Sequence, residues 1–302
     1  MDFEPFLAHW STNKNCSPRT ITAYRSDLKM FQRFLDSIGI RRLTQVNHAV
    51  INQYIDFMRQ QENPRFDRTG LAESSISRRL AAVSSYFDYV RATSNPKLRN
   101  PLDDHVRRWK QNDQPKPVDD LTIEKLLDGI TLKRDRVLIG LFLATGLRVS
   151  EMHSLDRDTI EFAVEEINGR ERWTGEGEVV GKGSKRRKIY VDEQTLKVYA
   201  EYLTTRKDDN PALFLSERKQ RMSVAAIQYT LRVWCARLGL PHINVHRLRH
   251  TYATNLANGN ISSMVLKDLM GHSSISTTSR YFKLNDTTLA RAYHSAMEYR
   301  RQ

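Results

Sequence analysis

Six residues from position 148 onward carry side chains suited to metal-free phosphodiester chemistry. Arg148 stands in Ala144-Thr-Gly-Leu-Arg-Val-Ser-Glu151, and Lys182 in Gly181-Lys-Gly-Ser-Lys-Arg-Arg187. His246 and Arg249 share the run His-Arg-Leu-Arg-His250. His272 lies in Leu269-Met-Gly-His-Ser273, and Tyr281 follows it by nine residues. Arginine forks grip nonbridging phosphate oxygens in pairs of hydrogen bonds. A tyrosine hydroxyl is able to attack phosphorus and form a covalent bond. A lysine or histidine is able to protonate the departing oxygen.

Taken singly, each residue has an ordinary explanation. Arg148 and Glu151 are three apart, the spacing of a helix-surface ion pair. Gly-Lys-Gly is a common basic turn, and Tyr281 between Arg280 and Phe282 is compatible with packing. Two other chemistries fail on spacing. Between Gly175 and Gly181-Lys182 lie five residues where a nucleotide-binding P-loop has four, and Gly183 occupies the place of its Ser or Thr. His246 and His250 are four apart, as zinc ligands on a helix are, but Arg247 and Arg249 would repel a cation and no glutamate follows His246. His250 reads as a core or supporting histidine. No nucleotide, metal or other cofactor is expected.

Around these residues the chain reads as two domains. Residues 1–99 carry helical periodicity throughout. Ser17-Pro18 opens a helix with Ile21, Tyr24, Leu28, Phe31 and Leu35 on one face, and Gly39 stops it. A second helix runs from about His48 to Gln61, with Val50, Tyr54, Phe57 and Met58 inward. A third presents Ile76, Leu80, Val83, Phe87 and Val90, and a short helix near Phe3 to Trp10 precedes them all. Arg19, Arg25, Lys29, Arg33, Arg78 and Arg79 fall on the exposed faces, where they suggest phosphate contacts. Residues 100–120 break the periodicity with prolines and charges and read as a linker. Residues 121–302 are mixed. Thr122 caps a helix through Ile130, and Arg134 to Ala144 forms another. Strands fill 159–191 with a turn at Asn168-Gly169 and a second at Gly181 to Ser184. Helices run from Glu193 to the end.

The 302 residues hold 48 Lys and Arg against 35 Asp and Glu, a net charge of +13. The pI near 9.8 points to a polyanionic partner. Lys185 and Arg187 beside Lys182 add to the expected DNA contacts. Cys16 and Cys235 match no metal or redox spacing and read as reduced thiols. The N-terminus lacks a signal-peptide pattern, and no stretch reaches membrane-span length, which places the protein in the cytoplasm.

The four motifs, in their order and with their final nine-residue spacing, resemble the tyrosine recombinases of the phage-integrase superfamily. The resemblance covers nearly the whole chain and is closest to the compact, Xer-like type without an N-terminal arm-site module. It implies a mostly α fold with a small antiparallel β-sheet: a helical, SAM-like core-binding domain followed by an α+β catalytic domain. It implies that Tyr281 attacks the scissile phosphate to give a 3′-phosphotyrosyl bond. Arg148, Arg249 and His272 would stabilise the phosphoryl oxygens. Lys182 would protonate the 5′ oxygen, His246 would assist proton movement, and Glu151 would orient the site. The expected partners are double-stranded DNA with inverted-repeat core sites and three further copies in a tetramer. A second recombinase or an accessory protein is a possible addition. The two domains would clamp the duplex, and an amphipathic C-terminal helix carrying Leu289, Ala292, Tyr293 and Ala296 would dock on a neighbouring protomer. The polar stretch Arg170 to Gly177 reads as an insert of unassigned role. Two rivals remain at this point. A type IB topoisomerase shares the tyrosine chemistry, and a non-catalytic architectural protein would share the fold.

Overall fold

Short capping residues and glycines set the helix ends, as their chemistry requires. The computed structural model describes residues 1–13, 18–63, 68–103, 116–167, 169–181, 185–259, 261–272 and 274–282. Cys16, Ser17, Lys182, most of the charged 100–120 stretch and the C-terminal helix expected after Tyr281 lie outside these residues, as does the side chain of Arg19. The chain divides into two compact units, Met1–Asn112 and Asp113–Gln302.

The first unit contains α1 (Glu4–Asn13), α2 (Pro18–Ser37), α3 (His48–Gln60) and α4 (Glu73–Thr93), with a two-residue ladder of β1 (Glu62–Asn63) and β2 (Arg68–Thr69). Asn47 caps α3 by accepting from the Val50 N–H at 3.1 Å. Leu28, Phe31 and Leu35 of α2 meet Ile51, Tyr54 and Met58 of α3 and Ile76, Val83 and Phe87 of α4 in one core. Leu98 and Leu102 join this core, so the start of the 100–120 stretch is packed into it. One buried carboxylate ties the helices together. Asp27 on α2 is fully buried and receives Arg78 in a two-pronged pair and Arg79 at 3.4 Å, both from α4. Burial pushes the Asp27 carboxyl above its ordinary range despite the two guanidinium groups. The exposed placement expected of Arg79 therefore does not hold. Its side chain is 15% exposed and serves the core, because an unpaired buried carboxylate would be costly. Arg78 keeps an exposed edge, Arg25 pairs with Glu4 at 2.7 Å, and Lys29 and Arg33 are exposed.

The second unit is built around α6 (Lys133–Thr145), whose Val137 to Phe142 are buried on every face. Helix α5 (Asp120–Gly129) precedes it. Its cap is Asp119, accepting from the Thr122 N–H at 2.9 Å, rather than Thr122 itself. Val118 belongs to this core, and its N–H donates to Thr251 Oγ1 at 2.8 Å. After α7 (Val149–Ser154) come three antiparallel strands in the order β3 (Ile160–Ile167), β4 (Arg170–Val180) and β5 (Arg186–Val191). Ile167 faces Arg170, so the reversal falls at the expected two-residue position. The stretch Arg170 to Gly177 is part of β4, and Trp173 stacks on Phe162 at 5.8 Å.

Helices α8 (Glu193–Thr205), α9 (Val224–Arg237), α10 (Val245–Asn258), α11 (Ser263–Met270) and α12 (Ile275–Thr278) follow, and a 3-10 turn, Ser279–Tyr281, closes the described chain. The helical reading from Glu193 onward fails between α8 and α9. There Arg206 gathers Asp208 and the carbonyls of Asn210, Ala212 and Leu213, and bridges form between Asp156 and Ala212 and between Leu215 and Arg221. Pro211 lacks the N–H that a helix needs there. Helix α6 packs against α8, α10 and β5, and Arg249 of α10 bonds the Gly146 carbonyl at its end, two residues before Arg148.

Candidate active site

Two left-handed glycines decide where the site begins and ends. Gly146 closes α6 at φ +58°, and its missing side chain leaves room for the Tyr252 ring, which would lie 2.3 Å from a Cβ. The chain then turns into α7 with Arg148 at its N-cap. The Arg148 N–H donates to Glu151 Oε2 at 2.8 Å, and its Nη1 donates to Oε1 at 2.7 Å. Gly271 closes α11 at φ +60° and lies against Arg187, whose Cδ would be 2.9 Å from a Cβ. His272 follows at once.

Three guanidinium groups meet at the C-terminus of α11, and each takes one of three successive main-chain carbonyls. Arg187 Nη1 donates to Leu269, Arg249 Nη2 to Met270, and Arg148 Nη2 to Gly271 at 2.9 Å. The last carbonyls of a helix have no partner within it and form its negative end, so cations are favoured there. Arg249 also donates to the Gly146 carbonyl, which joins the two glycine turns. Glu151 supplies the countercharge. It is 3% exposed, and beyond its bonds to Arg148 it accepts from Arg187 Nη2 at 2.9 Å and lies 3.9 Å from Arg249. Burial alone would raise the Glu151 carboxyl. The Arg187 charge, the Arg148 N–H and the two guanidinium bonds outweigh it and hold Glu151 below its usual range. Arg249 is 3% exposed, and burial followed by the charges of Arg148 and Arg187 lowers it to about 10. It stays protonated at neutral pH. One carboxylate against three guanidinium groups leaves a positive excess, the electrostatics a phosphate diester requires.

The histidines and the tyrosine border this cluster. His272 Nδ1 lies 2.8 Å from the buried Thr278 hydroxyl. Burial, then Arg249, Arg148 and Arg187, lower His272 to about 4, so its ring is neutral at pH 7. His246, on the first turn of α10, is lowered by burial and by Arg249 and Arg148, and its ring stacks on His250 at 5.7 Å. Tyr281 is 8% exposed among Ala253, Leu266 and Met270. Its hydroxyl sits 2.6 Å from His250 Nδ1. Gly181, the residue before Lys182, lies where a Cβ would be 3.2 Å from Glu151 Oε1 and 3.6 Å from Arg148 Nη1. Lys185 is exposed.

The structure thus brings Arg148, Glu151, Arg249 and His272 to the C-terminal end of α11, with Tyr281 packed against α10 and α11. Two placements differ from the sequence reading. Arg187, expected as a DNA contact, has a side chain only 7% exposed and is bonded to Glu151 and Leu269. The buried charge of Glu151 favours it there: the Arg148 guanidinium reaches only Oε1, and Arg187 adds a second cation at Oε2, where Arg148 offers only its main-chain N–H. His250, read as a supporting residue, touches the Tyr281 hydroxyl. Its four-residue spacing from His246 places it on the same helix face, and that was the only available signal. Among the described residues no group of three or more His, Cys, Asp or Glu is arranged to hold a metal ion.

The model of the phage integrase family matches residues 118–288, and that of its N-terminal SAM-like domain matches residues 3–93. The chain belongs to the phage integrase family, and it is a tyrosine site-specific recombinase. It is 31% identical to a tyrosine recombinase XerC of Actinobacillus succinogenes, over 94% of this chain and 92% of the relative. To XerC of Escherichia coli O157:H7 it is 29% identical, over 98% and 95% of the two chains. Its fold is similar to that of XerH bound to its difH substrate (TM-score 0.69, 20% identity, 93% of this chain and 80% of that one). It is also similar to that of the Tn1549 transposon integrase in complex with circular intermediate DNA (TM-score 0.72, 19% identity, 96% and 97%). No helix among the described residues is long and apolar enough to cross a membrane.

Proposed function

We propose that this recombinase cleaves duplex DNA with Tyr281 and exchanges strands between paired inverted-repeat core sites. The observation that carries this reading is the meeting of Arg148, Arg249 and His272 at one helix terminus, with Tyr281 packed beside them. A scissile phosphate placed against that cluster receives guanidinium donors from Arg148 and Arg249 and a ring donor from His272. These bonds strengthen as charge builds on the phosphoryl oxygens, so they lower the barrier instead of merely tightening binding. Tyr281 Oη attacks phosphorus, and the bond to the 5′ oxygen breaks. Lys182, one residue beyond the Gly181 backbone that lines the cluster, supplies that oxygen's proton. His246 borders the phosphate, and Glu151 fixes Arg148 and Arg187. The 3′-phosphotyrosyl bond keeps the energy of the diester, so rejoining calls for no nucleotide and no metal.

Residues 1–99 form the DNA core-binding domain, with Arg19, Lys29, Arg33 and the exposed edge of Arg78 as backbone contacts, and 121–302 the catalytic domain. Four protomers hold two sites, acting on DNA in the cytoplasm during integration and excision of a mobile element or resolution of joined DNA circles. A second recombinase or accessory protein is compatible with this scheme. The decisive experiment uses a nicked suicide substrate. Wild-type protein should give a covalent adduct resistant to denaturant, and Tyr281→Phe should bind the same DNA without forming one. An adduct in Tyr281→Phe would exclude Tyr281 as nucleophile.

A further inference from the structure

The proton of the nucleophile has to go somewhere, and among the described residues the His250 ring lies within reach of it. Tyr281 Oη is 2.6 Å from His250 Nδ1, across 31 residues of sequence. The contact joins two separately built elements. His250 lies in the second turn of α10, a helix started by Asn244, whose Oδ1 accepts from the Arg247 N–H at 2.9 Å. Tyr281 ends the 3-10 turn that follows α12, which Ser274 caps. A capped helix and a capped turn therefore aim the imidazole and the phenol at each other. The site's other histidine with a fixed partner, His272, has its Nδ1 committed to Thr278.

From this geometry we infer that His250 is a catalytic residue: its Nδ1 accepts the phenolic proton of Tyr281 as the tyrosine attacks phosphorus. The inference rests on the proposal that Tyr281 is the nucleophile. In cleavage, the Oη–P bond forms and the P–O5′ bond breaks. The phenolic proton passes to His250 Nδ1, and the 5′ oxygen takes its proton from the acid on the leaving side. In rejoining, the 5′ hydroxyl gives its proton back to that leaving-side group as it attacks phosphorus, the P–Oη bond breaks, and the imidazolium returns its proton to Oη. Neither redox partner nor metal enters the balance.

For this role His250 must start neutral, with its proton on Nε2 and a free lone pair on Nδ1. The groups facing it favour the neutral ring. Burial first, then His246 and Arg249 on its own helix and Arg280 on the facing turn, lower His250 to about 4. Burial also raises the Tyr281 phenol, against the pull of Arg249 and Arg280. The proton thus rests on Tyr281 until bonding to phosphorus makes the phenol acidic, which is general-base behaviour rather than prior ionisation. The negative phosphate held by the neighbouring arginines offsets the charge of the imidazolium that forms.

The test combines a variant with a measurement on unaltered protein. His250→Asn keeps a polar group near Oη but removes the base. Single-turnover cleavage of the suicide substrate should fall by about 10²-fold or more, in the range for lost general acid–base catalysis, with gel-shift affinity retained. A substrate with a 5′ thiol leaving group should not restore His250→Asn, although it should restore Lys182→Ala. Wild-type cleavage by His250→Asn, or its full rescue by the thiol, would overturn the role. Should His250→Asn fail to fold, ¹⁵N spectra of histidine-labelled wild-type protein decide the matter. They should show one neutral ring with Nδ1 bare and Nε2 protonated, shifting when Tyr281 is replaced by Phe. A ring protonated on Nδ1 would exclude it as acceptor. Tyr281→Phe in the cleavage assay keeps the two readings apart: an adduct there removes Tyr281, whereas wild-type rates in His250→Asn remove only His250.

Discussion

At the scale of single residues, the site separates groups that bind charge from groups that move protons. Arg249 is the clearest case of the first kind. It is buried, always cationic at neutral pH, and already bonded to the carbonyls of Gly146 and Met270. Lysine at this position keeps the charge but not the fork. Arg249→Lys is expected to lose on the order of 10²-fold in cleavage rate, the scale set by removal of an oxyanion donor, with little change in gel-shift affinity. An equal loss in both measurements would make Arg249 a binding residue only. The types and spacing of Arg148, Arg249, His272 and Tyr281 were legible in the sequence because each sits in a short motif. The His250–Tyr281 contact was not, since nothing local to either residue records that α10 and the final turn face each other.

At the scale of elements, α11 is the organiser. Its start is set by Ser262, which accepts from the Val265 N–H at 3.2 Å, and its end by Gly271. The stop at Gly271 is legible in the sequence as a glycine helix end. The anchoring of its last carbonyls by three arginines is not, because Arg187 comes from β5 and Arg148 from α7. Arg187→Lys tests this anchoring. One ammonium cannot span Glu151 and the Leu269 carbonyl as a fork does, so about 1–3 kcal/mol of stability should go, as for lost hydrogen bonds to charged groups. Denaturant unfolding reads that loss. Cleavage should fall with it while DNA affinity holds, and unchanged stability and rate would reduce Arg187 to a space-filling role. The same logic explains the misreading between α8 and α9. The apolar run Ala212 to Leu215 there belongs to a looped segment of bends, turns and isolated bridges held by Arg206, and a short apolar run alone does not separate a loop pinned by one side chain from a weak helix.

At the scale of the molecule, the two units have separate cores, and the sequence marked both through helical periodicity in one and mixed texture in the other. Acid acts mainly on the second. His250 and His272 are both lowered to about 4, and Glu151 is held below its usual value. Between about pH 6.5, the ordinary histidine value, and pH 4, the unfolded chain binds protons at these two positions that the folded chain does not. Stability therefore rises with pH across that window and is lost as pH falls through it, and the carboxylate adds to the loss further down. Thermal unfolding followed from pH 7.5 to pH 5 should show a falling midpoint. The slope should flatten in a variant with both histidines replaced by glutamine. A midpoint that rises on acidification would contradict the burial of these rings.

The three acceptors at the end of α11 are main-chain oxygens, and this bears on how the enzyme tolerates inherited change. No point substitution deletes a carbonyl. Exchange of the Leu269 side chain for another of similar size leaves the arginine frame in place, so drift at that position is silent to catalysis. Damage has to arrive through the course of the backbone instead, by an added Cβ at Gly271 or Gly146, where the left-handed turn alone costs about 1–2 kcal/mol for other residues. In a population of variants selected for recombination, tolerance should fall abruptly between positions 269 and 271, although both residues hold an arginine through the same kind of atom.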